Sequence, residues 1–265
     1  MPVKQGRLNL FYYLSVTNCF CMEYIAIALA PGIAICLFIF YKDVYNREPR
    51  LNLFVSFFLG CFAILPAIWF ENEFAFTIDG SITGVAIFSY AIVGFSEEAS
   101  KFLGLRLYSY NKKSFDEPLD GIVYSVMVSM GFATLENVMY VLNYAQAGRG
   151  LEVGIQRMFL SVPAHASFAV VMGYFAGKAK FTTGSKSLLL MLTGLLMAIF
   201  FHGTYDFFLF LPKYSHIGKN LSEGLLAGGA IGSYIVCLVL SRKLIRYHRN
   251  ISQDMFKNKN QNISV

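Results

Sequence analysis

Seven blocks of apolar residues, each about as long as a bilayer is thick, most constrain the fold of this chain. A helix needs ~20 mostly apolar residues to cross the hydrocarbon core. Hydrophobic residues make up 56% of the chain and charged residues only 14%, too few to cover a soluble domain of this size. The sequence therefore predicts an all-α fold, a polytopic transmembrane helical bundle. Its spans are expected at roughly residues 24–41, 51–70, 82–105, 120–144, 159–177, 187–211 and 221–241.

The domain organisation follows from these blocks. No stretch is long and polar enough to form a separate soluble domain, so one membrane-embedded domain is predicted at 23–245. Residues 1–22 form a short N-terminal segment without a small-residue cleavage site. This segment is signal-like or interfacial, or else results from a wrongly assigned start, because Met22 opens directly into the first span. Residues 246–265 are expected to form a polar cytoplasmic tail.

Basic residues concentrate in alternate loops. The opposite loops carry mixed charges, among them Glu71 and Arg157. The positive-inside rule then predicts an outside N-terminus and a cytoplasmic C-terminus. Topology accounts for the net charge of +6, and no aromatic-basic surface indicates nucleic acid as a partner. The basic side chains that set this orientation are Lys42, Arg47, Arg50, Arg106, Lys112, Lys113, Lys178, Lys180, Lys186, Arg242, Lys243, Arg246 and Arg249.

Ionisable side chains interrupt four consecutive spans. Each carboxylate at the bilayer centre costs ~2.5–3.5 kcal/mol, so these groups are expected to face one another in a single interior cavity. Glu97 and Lys101 are four residues apart and share a helix face, as do His202 and Asp206. The full set is Glu97, Glu98 and Lys101 in span three, Glu136 in span four, His165 in span five, and His202 and Asp206 in span six.

The predicted depths of these groups do not agree. Counted from the span ends, Glu136, His165 and His202 lie in the outer half of the membrane, whereas Glu97 lies nearer the cytoplasmic half. Either span three is tilted or broken, or the predicted boundaries are wrong by a turn.

Structural roles are the alternative to a functional site. In this alternative, an ion pair formed by Glu97, Glu98 and Lys101 reaches outward to the membrane interface. Glu136 is then a neutral acid between helices, and His165 and His202 make ordinary interhelical contacts. The presence of all these groups on four consecutive spans favours the functional interpretation.

Carboxylates and imidazoles in one cavity can activate water. One route uses a divalent metal, for which Zn²⁺ suits the nitrogen and oxygen ligands. The other route is metal-free, with a glutamate as general base and an imidazole that stabilises the oxyanion.

Two alternatives to a hydrolytic enzyme stay open. Intramembrane acids also act as relays in ion- or proton-coupled transporters, although no inverted repeat is visible, and a non-enzymatic sensor would use them structurally.

Three ordered motifs resemble the PrsW family of bacterial intramembrane proteases, which is related to CAAX prenyl endopeptidases and bacteriocin-processing enzymes. Residues 97–101 fit E-E-x-x-K, residues 132–136 fit F-x-x-x-E, and residues 202–206 fit H-x-x-x-D. The segments 30–32 and 41–49 also resemble the amino-terminal region of that family. The resemblance extends from Met22 to about residue 245.

The resemblance implies an activity and residue roles. PrsW-like proteins are site-1 proteases of the bacterial plasma membrane that cut the extracytoplasmic part of a membrane-anchored anti-sigma factor, so that later cuts free a sigma factor in a stress response. The motifs assign catalysis to Glu97, Glu98, Glu136 and His202, with Lys101 and Phe132 in support. A metal, if bound, is expected among His165, His202, Asp206 and Glu136. His165 matches no motif, so its role depends on spacing alone. CAAX-type relatives have His and Asn where this chain has Glu136 and Asp206, and the more acidic site favours a metal.

Overall fold

The structure, a computed structural model, describes residues 10–263, and within that range it contains helices and loops but no strand. A long central helix, α5, is surrounded by the others. The helices are α1 (Leu10–Lys42), α2 (Arg50–Glu73), α3 (Ile82–Ile87), α4 (Phe95–Leu107), α5 (Pro118–Ala145), α6 (Gly150–Phe159), α7 (Ser161–Lys180), α8 (Ser185–Tyr214) and α9 (Glu223–Ile263), with a π-helix (Phe88–Gly94) between α3 and α4.

The all-α membrane bundle is confirmed. Six helices of the described chain are long and apolar enough to cross a bilayer. The remaining predicted span, at 82–105, is the α3–π–α4 stretch, which is helical throughout but divided and rich in charge. About seven spans are therefore consistent with the structure. The spans of sufficient length are Met22–Lys42, Arg50–Glu73, Pro118–Ala145, Gly150–Lys180, Ser185–Tyr214 and Glu223–Lys259.

The third span is irregular but remains helical throughout. Its π-helical turn, Phe88–Gly94, comes directly before the glutamate pair, and π-helical turns in α-helices are frequently found at functional sites. At Gly94 the chain lies so close to α8 that a Cβ atom would be 3.2 Å from the Ile199 carbonyl oxygen. Glu97 and His202 meet at one depth, with 3.9 Å between Glu97 Oε2 and His202 Nε2.

Helix α5 is the core of the bundle, because its first four turns are buried on every side. Glycines let its neighbours approach closely. A Cβ atom at Gly131 would overlap the carbonyl group of Phe57 in α2, and one at Gly121 would overlap the backbone of α7 at Gly173. Small residues at helix crossings are typical of membrane proteins, where packing replaces the hydrophobic effect. These crossings fix the position of α5, which carries Glu136.

We expect Gly131→Val to destabilise the bundle, because the added side chain must push α2 away from α5. Overpacking of a tight core commonly costs ~1–3 kcal/mol, and here backbone has to move. Gly224→Val in α9 is the matched control, since nothing lies within 4 Å of its Cβ position. Thermal unfolding of the detergent-solubilised protein should show a lower midpoint for the first variant only. Equal midpoints would contradict this account of the crossing.

The two chain ends extend the bundle. Helix α1 begins at Leu10, so it runs through part of the predicted segment 1–22, and the first nine residues lie outside the described part. At the other end, α9 continues through the predicted tail as far as Ile263. His248 and Ser252 of this helix are fully buried, and the His248 ring stacks on Tyr174 at 4.4 Å.

Candidate active site

Three helices bring four metal-binding side chains together at the centre of the bundle. Glu97 and Glu98 come from α4, His165 from α7 and His202 from α8, and one ligand atom of each lies within 4.8 Å of the others. All four are buried. The sequence-based expectation that these groups share one interior cluster agrees with this arrangement.

Lys101 holds both glutamates. Its Nζ atom donates to Glu98 Oε1 at 2.8 Å and to Glu97 Oε2 at 3.0 Å. The ammonium group also lies over the Phe132 ring, 4.1 Å from its centroid, which adds a cation–π contact. The Lys101 side chain is only 2% exposed, so the alternative in which this ion pair reaches outward to the interface is wrong.

The imidazole of His202 is oriented by carboxylates on both sides. Its Nδ1 atom lies 2.9 Å from Glu98 Oε1, and its Nε2 atom lies 3.2 Å from Asp206 Oδ2. The ring also stacks on Phe168 with 5.2 Å between centroids. Such partners fix the orientation of a catalytic or metal-binding histidine. The four-residue spacing of His202 and Asp206 therefore has the pairing role that their shared helix face predicts.

Glu136 is held by an arginine that the sequence interpretation had assigned to a loop. Arg157 Nη2 donates to Glu136 Oε2 at 2.6 Å, and Arg157 Nε donates to Asn137 Oδ1 at 2.9 Å. The same Glu136 oxygen lies 3.1 Å from His165 Nε2. The loop assignment of Arg157 was wrong because α6 and α7 together extend the fifth span back to Gly150. The sequence did hold a signal for this contact, because Arg157 lies about two helical turns before His165.

A cavity of about 450 Å³ opens onto this cluster. Glu97, His165, His202, Asp206 and Glu136 contribute to its wall, whereas Glu98 does not. The two adjacent glutamates therefore differ in position, because Glu97 faces the cavity and Glu98 lies behind it against His202.

A second residue that the sequence interpretation missed, this time an acid, lies at the rim of the cavity. Glu71, at the end of α2, lines the wall and accepts a hydrogen bond from Ser96 Oγ at 3.3 Å. The sequence placed Glu71 in a loop, on the same side as Arg157. Its carboxyl group therefore lies beside the buried polar cluster.

The donor group fits a metal by its chemistry. Two imidazoles and two carboxylates suit Zn²⁺. In a tetrahedral site with bonds of about 2.0–2.1 Å, ligand atoms lie about 3.3 Å apart, so the ligand atoms of Glu97, Glu98, His165 and His202, which lie within 4.8 Å of one another, would have to move closer together. The ammonium of Lys101 contacts three of these four side chains and would compete with the ion. The sequence interpretation also offered Asp206 and Glu136 as metal ligands. Both lie outside this group: Asp206 contacts His202, and Glu136 contacts His165.

The fold and the site define a class of protein: a polytopic membrane protein with a buried cluster of carboxylates and imidazoles. Residues 48–240 match the family described as PrsW family intramembrane metalloprotease. The chain belongs to this family, and the sequence-based resemblance is confirmed. It is an intramembrane protease, which favours peptide hydrolysis over the ion-coupled transporter considered from sequence.

Curated relatives agree with this assignment. The chain is 36% identical over 182 residues to a protein named Protease PrsW from Shouchella clausii (strain KSM-K16), covering 69% of this chain and 81% of that one. It is 36% identical over 187 residues to Protease PrsW of Bacillus subtilis (strain 168), covering 70% and 82%. For Protease PrsW of Clostridioides difficile (strain 630) the identity is 34% over 192 residues, covering 72% and 80%. No solved structure matches the chain.

Proposed function

We propose that this protease cuts the extracytoplasmic part of a single-pass, membrane-anchored anti-sigma factor in the bacterial plasma membrane. Later cuts would then release a sigma factor and start a stress response. The main support for the proposal is the direction of the active-site cavity, which extends toward one end of the bundle.

The cavity runs from Glu97 toward the helix ends that lie away from the basic loops. Its wall includes Tyr140 near the end of α5, and Lys213 and Tyr214 at the end of α8. The positive-inside rule places these helix ends outside the cytoplasm, with the N-terminus outside and the C-terminus inside. A polypeptide that enters here reaches the catalytic cluster without crossing the whole hydrocarbon core. This geometry supports cleavage close to the outer membrane surface.

Glu97 is the best candidate for the general base. Its Oε2 atom lies 3.9 Å from His202 Nε2 and 4.0 Å from His165 Nδ1, so a water molecule beside Glu97 is within reach of both imidazoles. Glu97 takes a proton from the attacking water and returns it to the nitrogen of the leaving amine. The imidazoles stabilise the negative charge on the peptide oxygen.

Other residues position these groups. Glu98 orients His202, and Glu136 with Arg157 orients His165. A metal held by His165, His202 and one of the two glutamates would keep a position open for water, polarise the peptide carbonyl and make that water more acidic. The fit of these donors to a metal supports that role.

The proposal is tested with purified protein in liposomes. Candidate anti-sigma factors are reconstituted with it, and the fragments are identified by mass spectrometry. We expect one cut in the part of the substrate outside the cytoplasm. The inactive Glu97→Gln protein is the control. A protease that cuts a generic single-pass peptide but none of the anti-sigma factors would overturn the substrate and leave the activity intact.

Metal removal gives a separate prediction. We expect a strong chelator to stop cleavage and Zn²⁺ to restore it, because two imidazoles and two carboxylates then lose their shared cation. Bound metal is measured on the same samples by mass spectrometry. Full activity in protein that contains no metal would favour the metal-free route, in which Glu97 acts as the only base.

A further inference from the structure

A second group of buried carboxylates lies far from the active site. Asp43 follows α1, while Glu117 and Asp120 lie at the start of α5, and one carboxylate oxygen of each is within 4.8 Å of the others. Asp43 and Asp120 are 0% exposed. Asp120 and Glu136 are on the same helix, separated by about 24 Å along its axis. The second group is therefore distinct from the catalytic cluster.

Two carboxylates of this group each use one oxygen to hold the backbone. Asp43 Oδ2 accepts a hydrogen bond from the Glu48 amide at 2.9 Å, and Asp120 Oδ2 accepts one from the Glu117 amide at 2.8 Å. A neighbouring acid, Glu48, accepts a hydrogen bond from the hydroxyl of Tyr124. These contacts fix the side chains before any ligand binds.

The other oxygens of these side chains have no hydrogen-bond partner. This applies to Asp43 Oδ1, Glu117 Oε1, Asp120 Oδ1 and Glu48 Oε1, all of them buried. A hydroxyl from a third part of the chain joins them. Ser252 Oγ of α9 is likewise buried without a partner, and it faces Glu117. Each such buried polar atom costs ~1–3 kcal/mol, so this group of oxygens is expected to bind something.

The charge of these carboxylates also indicates that the group binds something. Among the described side chains, no lysine or arginine pairs with the group. Protons or a cation must therefore offset its charge.

We propose that Asp43, Glu117 and Asp120 bind a hard divalent cation of the Ca²⁺ and Mg²⁺ class, with Glu48 and Ser252 beside it. The donors are all oxygen atoms, which these ions prefer. Ca²⁺ holds its ligands at 2.3–2.6 Å, so opposite oxygens lie about 4.6–5.2 Å apart, as the group allows. The ion would tie the loop after α1 to the start of α5 and to α9.

The test is a cation titration of the full-length protein, purified with chelator and followed by thermal unfolding. We expect Ca²⁺, Mg²⁺ or both to raise the unfolding midpoint in a concentration-dependent way. Asp43→Asn and Asp120→Asn should weaken the apparent affinity about tenfold or more, which is 1.4 kcal/mol or more. Asp116→Asn is the matched control, because this exposed acid in the same loop instead binds Asn46 at 2.6 Å. Because Asp116 lies near Glu117 but outside the group, its loss should change the apparent affinity far less than tenfold.

A second measurement covers variants that fail to fold. Tb³⁺ replaces Ca²⁺ at oxygen sites, and Tyr124 beside Glu48 is placed to excite its luminescence. We expect Tb³⁺ luminescence in the wild type, its displacement by Ca²⁺ or Mg²⁺, and its reduction in Ser252→Ala. If neither ion moves the wild-type midpoint or displaces Tb³⁺, or if the Asp43 and Asp120 variants respond like the wild type, the proposal is wrong. None of these readouts depends on peptide cleavage.

Discussion

Replacing Glu97 with glutamine is expected to lower the rate of peptide cleavage about 10³-fold while leaving the protein folded. Removal of a general base typically costs 10²–10⁴ in rate, and glutamine keeps the size of the side chain and its hydrogen bond from Lys101. Of the two adjacent acids, only Glu97 lines the cavity. The measurement is cleavage of a reconstituted single-pass substrate over time.

Two variants make this result specific. Glu73→Gln removes an exposed acid at the end of α2 and should cleave at the wild-type rate. Glu98→Gln keeps an acceptor for His202 Nδ1 but removes its charge, and a positioning role predicts a smaller loss, about 10–100-fold. A Glu98→Gln protein slower than Glu97→Gln would reverse the roles assigned to the two glutamates.

The sequence predicted the membrane-spanning helices and most members of the buried polar cluster for simple physical reasons. Bilayer thickness sets the length of an apolar block, so the spans follow from counting. Helical spacing then pairs His202 with Asp206 and Glu97 with Lys101. The cost of charge in the hydrocarbon core brings the remaining groups together.

The missed features depend on contacts between distant segments. Both glutamates reach Lys101, so helical spacing alone does not tell which of them faces the cavity. Arg157 was missed because an arginine just before an apolar block is indistinguishable from a loop charge. Asp43 and Asp120 meet only because α5 packs against the loop that follows α1.

Replacing Arg157 with methionine is the second substitution for which we expect a large effect, here on the stability of the bundle and on cleavage. Arg157→Met leaves Glu136 without its charged partner, and breaking a buried ion pair by removing one member commonly costs 3–5 kcal/mol. The pair is well enclosed, with the two side chains 12% and 15% exposed. The variant also frees Asn137, whose amide holds α1 through the Ala28 carbonyl oxygen at 2.9 Å. We expect a much lower unfolding midpoint and weak cleavage.

A double variant separates lost charge balance from lost packing. Glu136→Gln added to Arg157→Met removes the unpaired charge, so it should recover much of the unfolding midpoint. It should not recover the cleavage rate, because His165 then loses its carboxylate partner. The matched control is Arg149→Met in the same region of the chain. Arg149 and Glu152 form a similar pair at 2.8 Å, but both side chains are about half exposed, and exposed pairs contribute little. If Arg149→Met and Arg157→Met lower the unfolding midpoint equally, burial does not increase the contribution of the Glu136–Arg157 pair to stability. If the double variant is no more stable than Arg157→Met, packing by the arginine stem accounts for the loss.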